Sequence, residues 1–441
     1  MDAQSESLSM NAAPYNDRMT RPFALVLVAA LSVTTAYSLT SPDDALLERA
    51  RALHRQAPLI DGHNDFPWAL RKKSAGRDLS VLDLRVRQPS IMTDIPRLRA
   101  GGVGGQFWSV YVPASYRGQK AVTATLEQID VVHRMVDRYP DTFALALTAT
   151  DVERAFKSGR IASLIGMEGG HSIDSSIATL RMMYALGARY MTLTHSRNTP
   201  WADSATDTPA YGGLTPFGEA IVHEMNRLGM LVDLSHVSAD TMTDAIRVSK
   251  APIIFSHSSA RALCNHPRNV PDVTLRELPK NGGIVMVNFY PGFIATDAAP
   301  VALEKSALER TLQEAHPNDD AAVDAALKEW DKTHPLPRAT LSMVADHIEY
   351  IRKVAGIDHV GLGGDLDGID VTPQGLEDVS KYPALTAELL RRQWSDEDVK
   401  KLLGLNVLRV MKQAEAVAAA MKSEPPSTAT LTSTPVPAAL R

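Results

Sequence analysis

Eight short runs of apolar and β-branched residues recur along this chain, and most of the segments between them carry helical signals. The runs are 59–65, 103–112, 162–168, 190–195, 231–236, 253–257, 283–290 and 359–365. Strands that alternate with helices predict parallel βα units, because a parallel pair needs a long crossover. Eight such units predict an α/β fold, a closed (β/α)8 TIM-type barrel. The helical signals are specific. Thr150 and Glu153 have capping-box spacing ahead of Ala155 and Phe156. Ile177, Leu180 and Tyr184 form one stripe closed by Gly187, and Phe217, Ile221, Met225 and Leu228 form another closed by Gly229.

One stretch exceeds a bare barrel. Residues 291–358 separate the seventh and eighth runs and contain helical patterns at 301–313, 320–332 and 341–354. The expectation is a helical insertion followed by the seventh barrel helix. The inserted pair could cover the site, or lie peripherally or against a second subunit. After the eighth run, 395–403 and 406–421 read as two closing helices separated by Gly404.

The ends differ from the middle. Residues 23–33 form an uncharged apolar run after Arg18 and Arg21, too short for a membrane span. With Ala36 and Ser38 placed for cleavage, 1–38 reads as a secretory signal peptide. Met19 would make a more ordinary start. The expectation is therefore export to a periplasm or the medium, with no stable membrane anchor in the mature chain. Residues 39–422 form the barrel, and 423–441, rich in Ser, Thr and Pro, read as a disordered tail.

Chemistry gathers where the runs end. The first finishes His63-Asn64-Asp65 and the third at Glu168-Gly169-Gly170. The fourth, fifth and sixth finish at His195, His236 and His257, and the eighth at Asp365-Leu366-Asp367. Barrel enzymes place their sites at the C-terminal ends of the strands. Residues i and i+2 share a strand face, so His63 and Asp65 both point into the mouth. The chain has thirteen His and one Cys, so a metal site here uses imidazole and carboxylate, a donor set that suits zinc. The donors are numerous enough for two ions. His63, Asp65, His236 and His257 would be terminal ligands, and Glu168 has two oxygens with which to bridge. Paired ions can share a hydroxide able to attack a carbonyl or phosphoryl centre. The net charge of −5, without a long basic run, argues against a nucleic-acid partner.

Seven ordered blocks carry a resemblance. They are LIDGHNDFP (59–67), GMEGGHS (166–172), LTHSRNTPWADS (193–204), LVDLSHVS (231–238), SHSSAR (256–261), HPRNVPD (266–272) and GLGGDLDG (361–368). Together they resemble the membrane (renal) dipeptidase family, a zinc metallopeptidase branch of the amidohydrolase-type barrels, from about residue 46 to 420. The resemblance implies a (β/α)8 barrel and a binuclear zinc centre with His63 and Asp65 on one ion, His236 and His257 on the other, and Glu168 between them. It further implies that His195 binds the substrate carbonyl and stabilises the oxyanion. Asp365 would move the proton from nucleophile to leaving amine. Arg268 would pair with the dipeptide's free carboxylate, in a pocket that Tyr290 helps to line. Animal members are GPI-anchored and disulfide-containing. With Cys264 alone and no anchor signal, this chain implies at most a non-covalent homodimer.

Other residues read as structural. His171 and His266 are loop residues beside the site, His359 starts the eighth run on the far side, and Cys264 and Trp108 read as core. His54, His133, His223, His316, His334 and His347 read as surface or packing. The expected function is a zinc-dependent dipeptidase acting on small dipeptides through a metal-bridging hydroxide. The alternatives are an amidohydrolase for N-acyl amino acids or β-lactam-type cyclic amides, and a non-catalytic exported metal-binding barrel.

Overall fold

The computed structural model describes residues 41–317 and 319–432, so the expected leader over 1–38 lies outside the described residues. Nine parallel strands form the sheet: β1 (Leu59–Asn64), β2 (Val103–Ser109), β3 (Phe143–Leu145), β4 (Ile161–Met167), β5 (Ala188–Thr192), β6 (Leu231–Asp233), β7 (Ile254–Phe255), β8 (Ile284–Val287) and β9 (Val360–Leu362). The order β2-β1-β9-β8-β7-β6-β5-β4 is closed by pairing of β2 with β4. Eight strands therefore make a (β/α)8 barrel. The ninth, β3, was not expected. It pairs with the start of β4 (Phe143 with Ile161), while the end of β4 pairs with β5 (Met167 with Met191).

Side chains of successive strand residues face opposite ways, which divides the apolar residues into two layers. Ile60, Phe107, Leu164, Leu231, Ile254, Ile284 and Met286 form one cluster with Val407, Leu408 and Met411 of the final helix, Asn406–Ala420. Their neighbours Leu59, Trp108, Ile165, Val232, Phe255, Val285 and Val287 belong to a larger cluster with the surrounding helices. The first layer fills the barrel and the second glues helices to it. Every strand residue of β1, β2 and β4 is buried, as expected of parallel strands covered on both faces.

Local signals shift in detail. The capping box lies two residues earlier than expected: Thr148 and Asp151 cap Ala149–Lys157. Asp151 can fill the reciprocal role because its carboxylate accepts from the Thr148 N–H. The helices Ile177–Ala185 and Pro216–Leu228 carry the two stripes read from sequence, and Gly229 closes the second in a left-handed turn. Beyond β9, Asp396–Lys400 passes through a π-turn at Lys401–Leu405 into the last helix rather than forming two separate long helices. The first part of the expected disordered tail is held on the fold. The Ser427 N–H donates to the buried Glu224 carboxylate (3.1 Å), and Arg181 donates to the Ser427 carbonyl (3.1 Å). No helix among the described residues is long and apolar enough to cross a membrane.

The segment after β8 contains helices Pro291–Ile294, Ala299–Ala315, Asp320–Thr333 and Leu341–Ala355. Leu341–Ala355 packs on β8 and β9 as a barrel helix. Ala299–Ala315 and Asp320–Thr333 pack on each other and contribute side chains to the cavity at the barrel mouth.

Candidate metal centre

The strands bring His63, Asp65, Glu168, His195, His236, His257 and Asp365 to one end of the barrel. The ladders stop short of most of these residues: β5 ends at Thr192, β6 at Asp233 and β7 at Phe255. Chain direction changes in the last steps. His236 has φ 69° and Asp365 φ 59°, left-handed values that cost a non-glycine residue energy and concentrate at functional sites.

Glu168 is the hub. Its Oε2 lies 3.3 Å from His63 Nε2, and its Oε1 lies 2.9 Å from His236 Nε2, 3.4 Å from His257 Nε2 and 3.5 Å from His195 Nε2. Asp65 Oδ2 is 3.2 Å from His63 Nε2. Donor atoms of three overlapping groups lie close enough to hold a cation: His63, Glu168 and His257; Glu168, His195 and His236; and His63, Asp65 and Asp365. The two oxygens of one carboxylate thus face different imidazole sets.

Imidazole orientation is fixed from behind. Tyr190 Oη donates to the Gly62 carbonyl (3.2 Å), so His63 Nδ1, 2.8 Å away, must be the N–H that donates to Tyr190. Ser256 Oγ donates to Asp233 Oδ2 (2.7 Å), so His257 Nδ1 donates to Ser256 at 2.8 Å. Both rings then present an Nε2 lone pair to the carboxylates. Such outer partners orient and strengthen metal-binding histidines. Gly166 is needed for this arrangement, because a Cβ there would collide with the Tyr190 ring.

Electrostatics divide the imidazoles: burial alone would lower His63, but Tyr190, Glu168 and Asp65 beside it hold it well above its ordinary value. Burial holds the His236 and His257 imidazoles well below their ordinary value, keeping them neutral. Burial alone would raise the Glu168 carboxyl, but the surrounding imidazoles, His63 first, hold it well below the carboxylate range. The neutral imidazoles of His236 and His257, an ionised carboxylate and the buried atoms His63 Nε2 and Asp65 Oδ1, which have no hydrogen-bond partner among the described residues, form a donor set that fits a divalent metal. Asp365 differs: burial pushes its carboxyl up to about 7, and Asn288 Nδ2 donates to it at 2.9 Å.

A cavity of about 290 Å³ opens over this cluster. Arg268, 3% exposed, lines it. Its backbone N–H donates to His266 Nδ1 (3.1 Å) and its Nη1 to Ser258 Oγ (3.4 Å), while Nε and Nη2 have no hydrogen-bond partner among the described residues. Burial lowers this guanidinium to about 10, so it stays cationic at neutral pH. Tyr290 lines the same wall, and Phe293 lies 5.1 Å beneath the guanidinium.

His266, read from sequence as loop packing, both lines the cavity and holds the Arg268 backbone. His171 bonds the Val112 carbonyl (3.2 Å), and His359 bonds the Gly283 carbonyl (2.7 Å). Asp367 accepts from the Met92 N–H and also borders the cavity. Sequence reasoning missed Tyr190, Asp233, Ser256 and Asn288 behind the site, and Tyr111, Lys305, Glu309 and Asp324 around it. Tyr190 and Tyr111 carry nothing in the sequence that separates them from other aromatics in the apolar runs. The Asp233-Leu-Ser-His236 spacing was the one available signal.

Comparison with known proteins gives consistent matches. The sequence model of the membrane dipeptidase family (peptidase family M19) matches residues 47–425. Dipeptidase verJ of Clonostachys rogersoniana is 43% identical over 391 residues, covering 86% of this chain and 90% of that protein. The crystal structure of the metallopeptidase dipeptidase AC is 26% identical with a TM-score of 0.67, covering 81% of this chain and 98% of that one. A metallopeptidase from Rhodobacter sphaeroides, liganded with a phosphinate mimic of the dipeptide L-Ala-D-Ala, is 24% identical with a TM-score of 0.67, a likeness of fold. That match covers 81% of this chain and 99% of the other.

Proposed function

The chain belongs to the membrane dipeptidase family, peptidase family M19, and is a metallo-dipeptidase; from that premise we propose a binuclear zinc enzyme that cleaves dipeptides with a free C-terminal carboxylate. The observation that carries the metal count is the division of Glu168, with Oε2 toward His63 and Oε1 toward His236 and His257. His63 and Asp65 would hold one ion and His236 and His257 the other, with Glu168 shared. When bound, the zinc pair supplies Lewis acidity toward the scissile carbonyl and acidifies water enough to furnish a hydroxide nucleophile near neutral pH.

The chain's own groups do the rest. His195, partly exposed to the cavity, donates to the oxygen that becomes the oxyanion, fixed in place while charge develops there. Asp365 takes the proton released at the nucleophile and passes it to the leaving amine; a carboxyl near neutrality is matched to that exchange. Arg268 receives the terminal carboxylate. A buried guanidinium with two unused donor atoms is unsatisfied until an anion arrives, and a planar fork suits a carboxylate. Tyr290 closes that end of the cavity. We also propose export, on the strength of residues 23–33; N-terminal sequencing of secreted protein should begin at Leu39, and retention of residues 1–38 would contradict it.

Steady-state rates on L,L- and L,D-dipeptides, measured beside N-acyl amino acids, test the substrate class. The dipeptides should turn over faster. Much faster cleavage of the acyl compounds would make the protein an amidohydrolase of a different kind, because Arg268 could serve either substrate.

A further inference from the structure

The helices Ala299–Ala315 and Asp320–Thr333 form the ceiling of the catalytic cavity. Ala302, Lys305, Ser306 and Glu309 of the first, and Asp324 and Leu327 of the second, line the same space as Glu168, His195 and Arg268. The first helix is tied down on the barrel loops. Arg310 pairs with Asp207 (3.3 Å), and Arg197 pairs with Glu314 (3.0 Å) while donating to the Arg310 carbonyl (3.2 Å). Tyr116 donates to Asp320 at the start of the second.

The ceiling's charges do not balance. Lys305 is held between two carboxylates, Asp331 at 2.9 Å and Asp370 at 3.2 Å. Glu309 has no ion-pair partner within 4.0 Å among the described residues; Gln313 donates to its Oε1 (3.0 Å) and its other oxygen has no partner. Asp324 has neither a hydrogen-bond nor an ion-pair partner among them. Two carboxylates therefore bracket the Lys305 ammonium, and Glu309 and Asp324 add two more to a cavity whose other cations are Lys72 and Arg268. Burial holds the Glu309 carboxyl above its usual range, with Asp324 and Asp370 adding to the effect and Lys305 and Arg197 opposing it, so a cation in direct contact would relieve it. An independent feature shows that the cavity awaits a charged guest. The buried Arg268 leaves two donor atoms unpaired on the same cavity and takes the substrate's carboxylate, which leaves the acidic ceiling for a group of opposite sign.

We propose that Glu309 and Asp324 form a side-chain subsite for a cation, so that the preferred substrates are dipeptides carrying a basic side chain. This rests on the dipeptidase reading and narrows it. The specificity residues come from the insertion between β8 and β9, not from the barrel.

The test compares kcat/KM for Lys-Ala against norleucine-Ala, and for Ala-Lys against Ala-norleucine, in the wild-type zinc enzyme and in Glu309→Gln and Asp324→Asn. In at least one pair the basic dipeptide should be favoured about tenfold in the wild type, with that ratio falling in both variants. Glu309→Lys should shift preference toward Glu-Ala or Ala-Glu and so shows the effect even if a neutral variant packs poorly. Equal rates within both wild-type pairs would overturn the proposal. So would a preference that survives both substitutions. Equal losses on basic and neutral members would assign the acids to the α-ammonium common to all four substrates, or to support of the helix. Wild-type hydrolysis of the norleucine compounds establishes dipeptidase activity whichever way the ratio falls. Failure on all four substrates would instead remove the dipeptidase reading, and this proposal with it.

Discussion

The Tyr190 hydroxyl sits 2.8 Å from His63 Nδ1 and donates its own hydrogen bond to the Gly62 carbonyl, so His63 Nδ1 is the donor and Nε2 faces the carboxylates. The two residues are 127 apart in sequence and meet across the barrel interior. Tyr190→Phe keeps the ring in the barrel core and removes only this bond. Zinc affinity, measured by competition with a chromophoric chelator, should fall about 10–100-fold with the fold intact. Unchanged affinity would remove Tyr190 from the metal centre.

Asp365→Asn tests proton transfer separately from metal binding. The variant should keep its metal while kcat falls by about 10²–10⁴. A rate within a few-fold of wild type would take Asp365 out of the mechanism.

Arg268→Ala should act mainly through KM for substrates with a free carboxylate, on the order of 10². A C-terminally amidated dipeptide should lose much less. Equal losses on both would mean that Arg268 supports the loop through His266 and Ser258 instead of reading the carboxylate.

Stability should depend on His54, far in sequence from the site. Its ring is buried between the Gly101 carbonyl (3.0 Å) and Thr386 Oγ1 (2.9 Å), and burial lowers its pKa from 6.5 to about 4. The unfolded chain takes up this proton near pH 6.5 and the folded chain only near 4. His54 therefore contributes fully above about pH 6.5, and its contribution is lost as pH falls toward 4, by about 3 kcal/mol. Denaturant melts of His54→Gln should show a shallower loss of stability across that interval. An identical slope would contradict the assignment.

The strand-end residues were legible because a metal centre needs particular atoms in a particular place. His63-x-Asp65 at the end of one apolar run and single histidines at the ends of three others leave few alternative geometries. The (β/α)8 architecture was legible for a similar reason, since β-rich runs alternating with helices have few parallel solutions. The three-residue β3 was not legible, because Phe143–Leu145 is too short to carry an alternation. Tyr190 and Ser256 were hidden because a tyrosine or serine in a buried strand reads as packing. Glu309 and Lys305 were hidden differently. Helical periodicity gives a face, but not the object that face meets, and nothing in residues 291–358 says that the insertion folds over the mouth.

Metal stoichiometry bears most directly on the central claim. Purified mature protein, analysed for bound metal and then carried through chelation and stepwise zinc re-addition, should bind two equivalents per chain and recover dipeptide hydrolysis as both are restored. Glu168→Gln should lose tight binding at both positions. Saturation at a single ion with full activity, or hydrolysis that persists in the chelated protein, would contradict a paired-metal centre organised around Glu168.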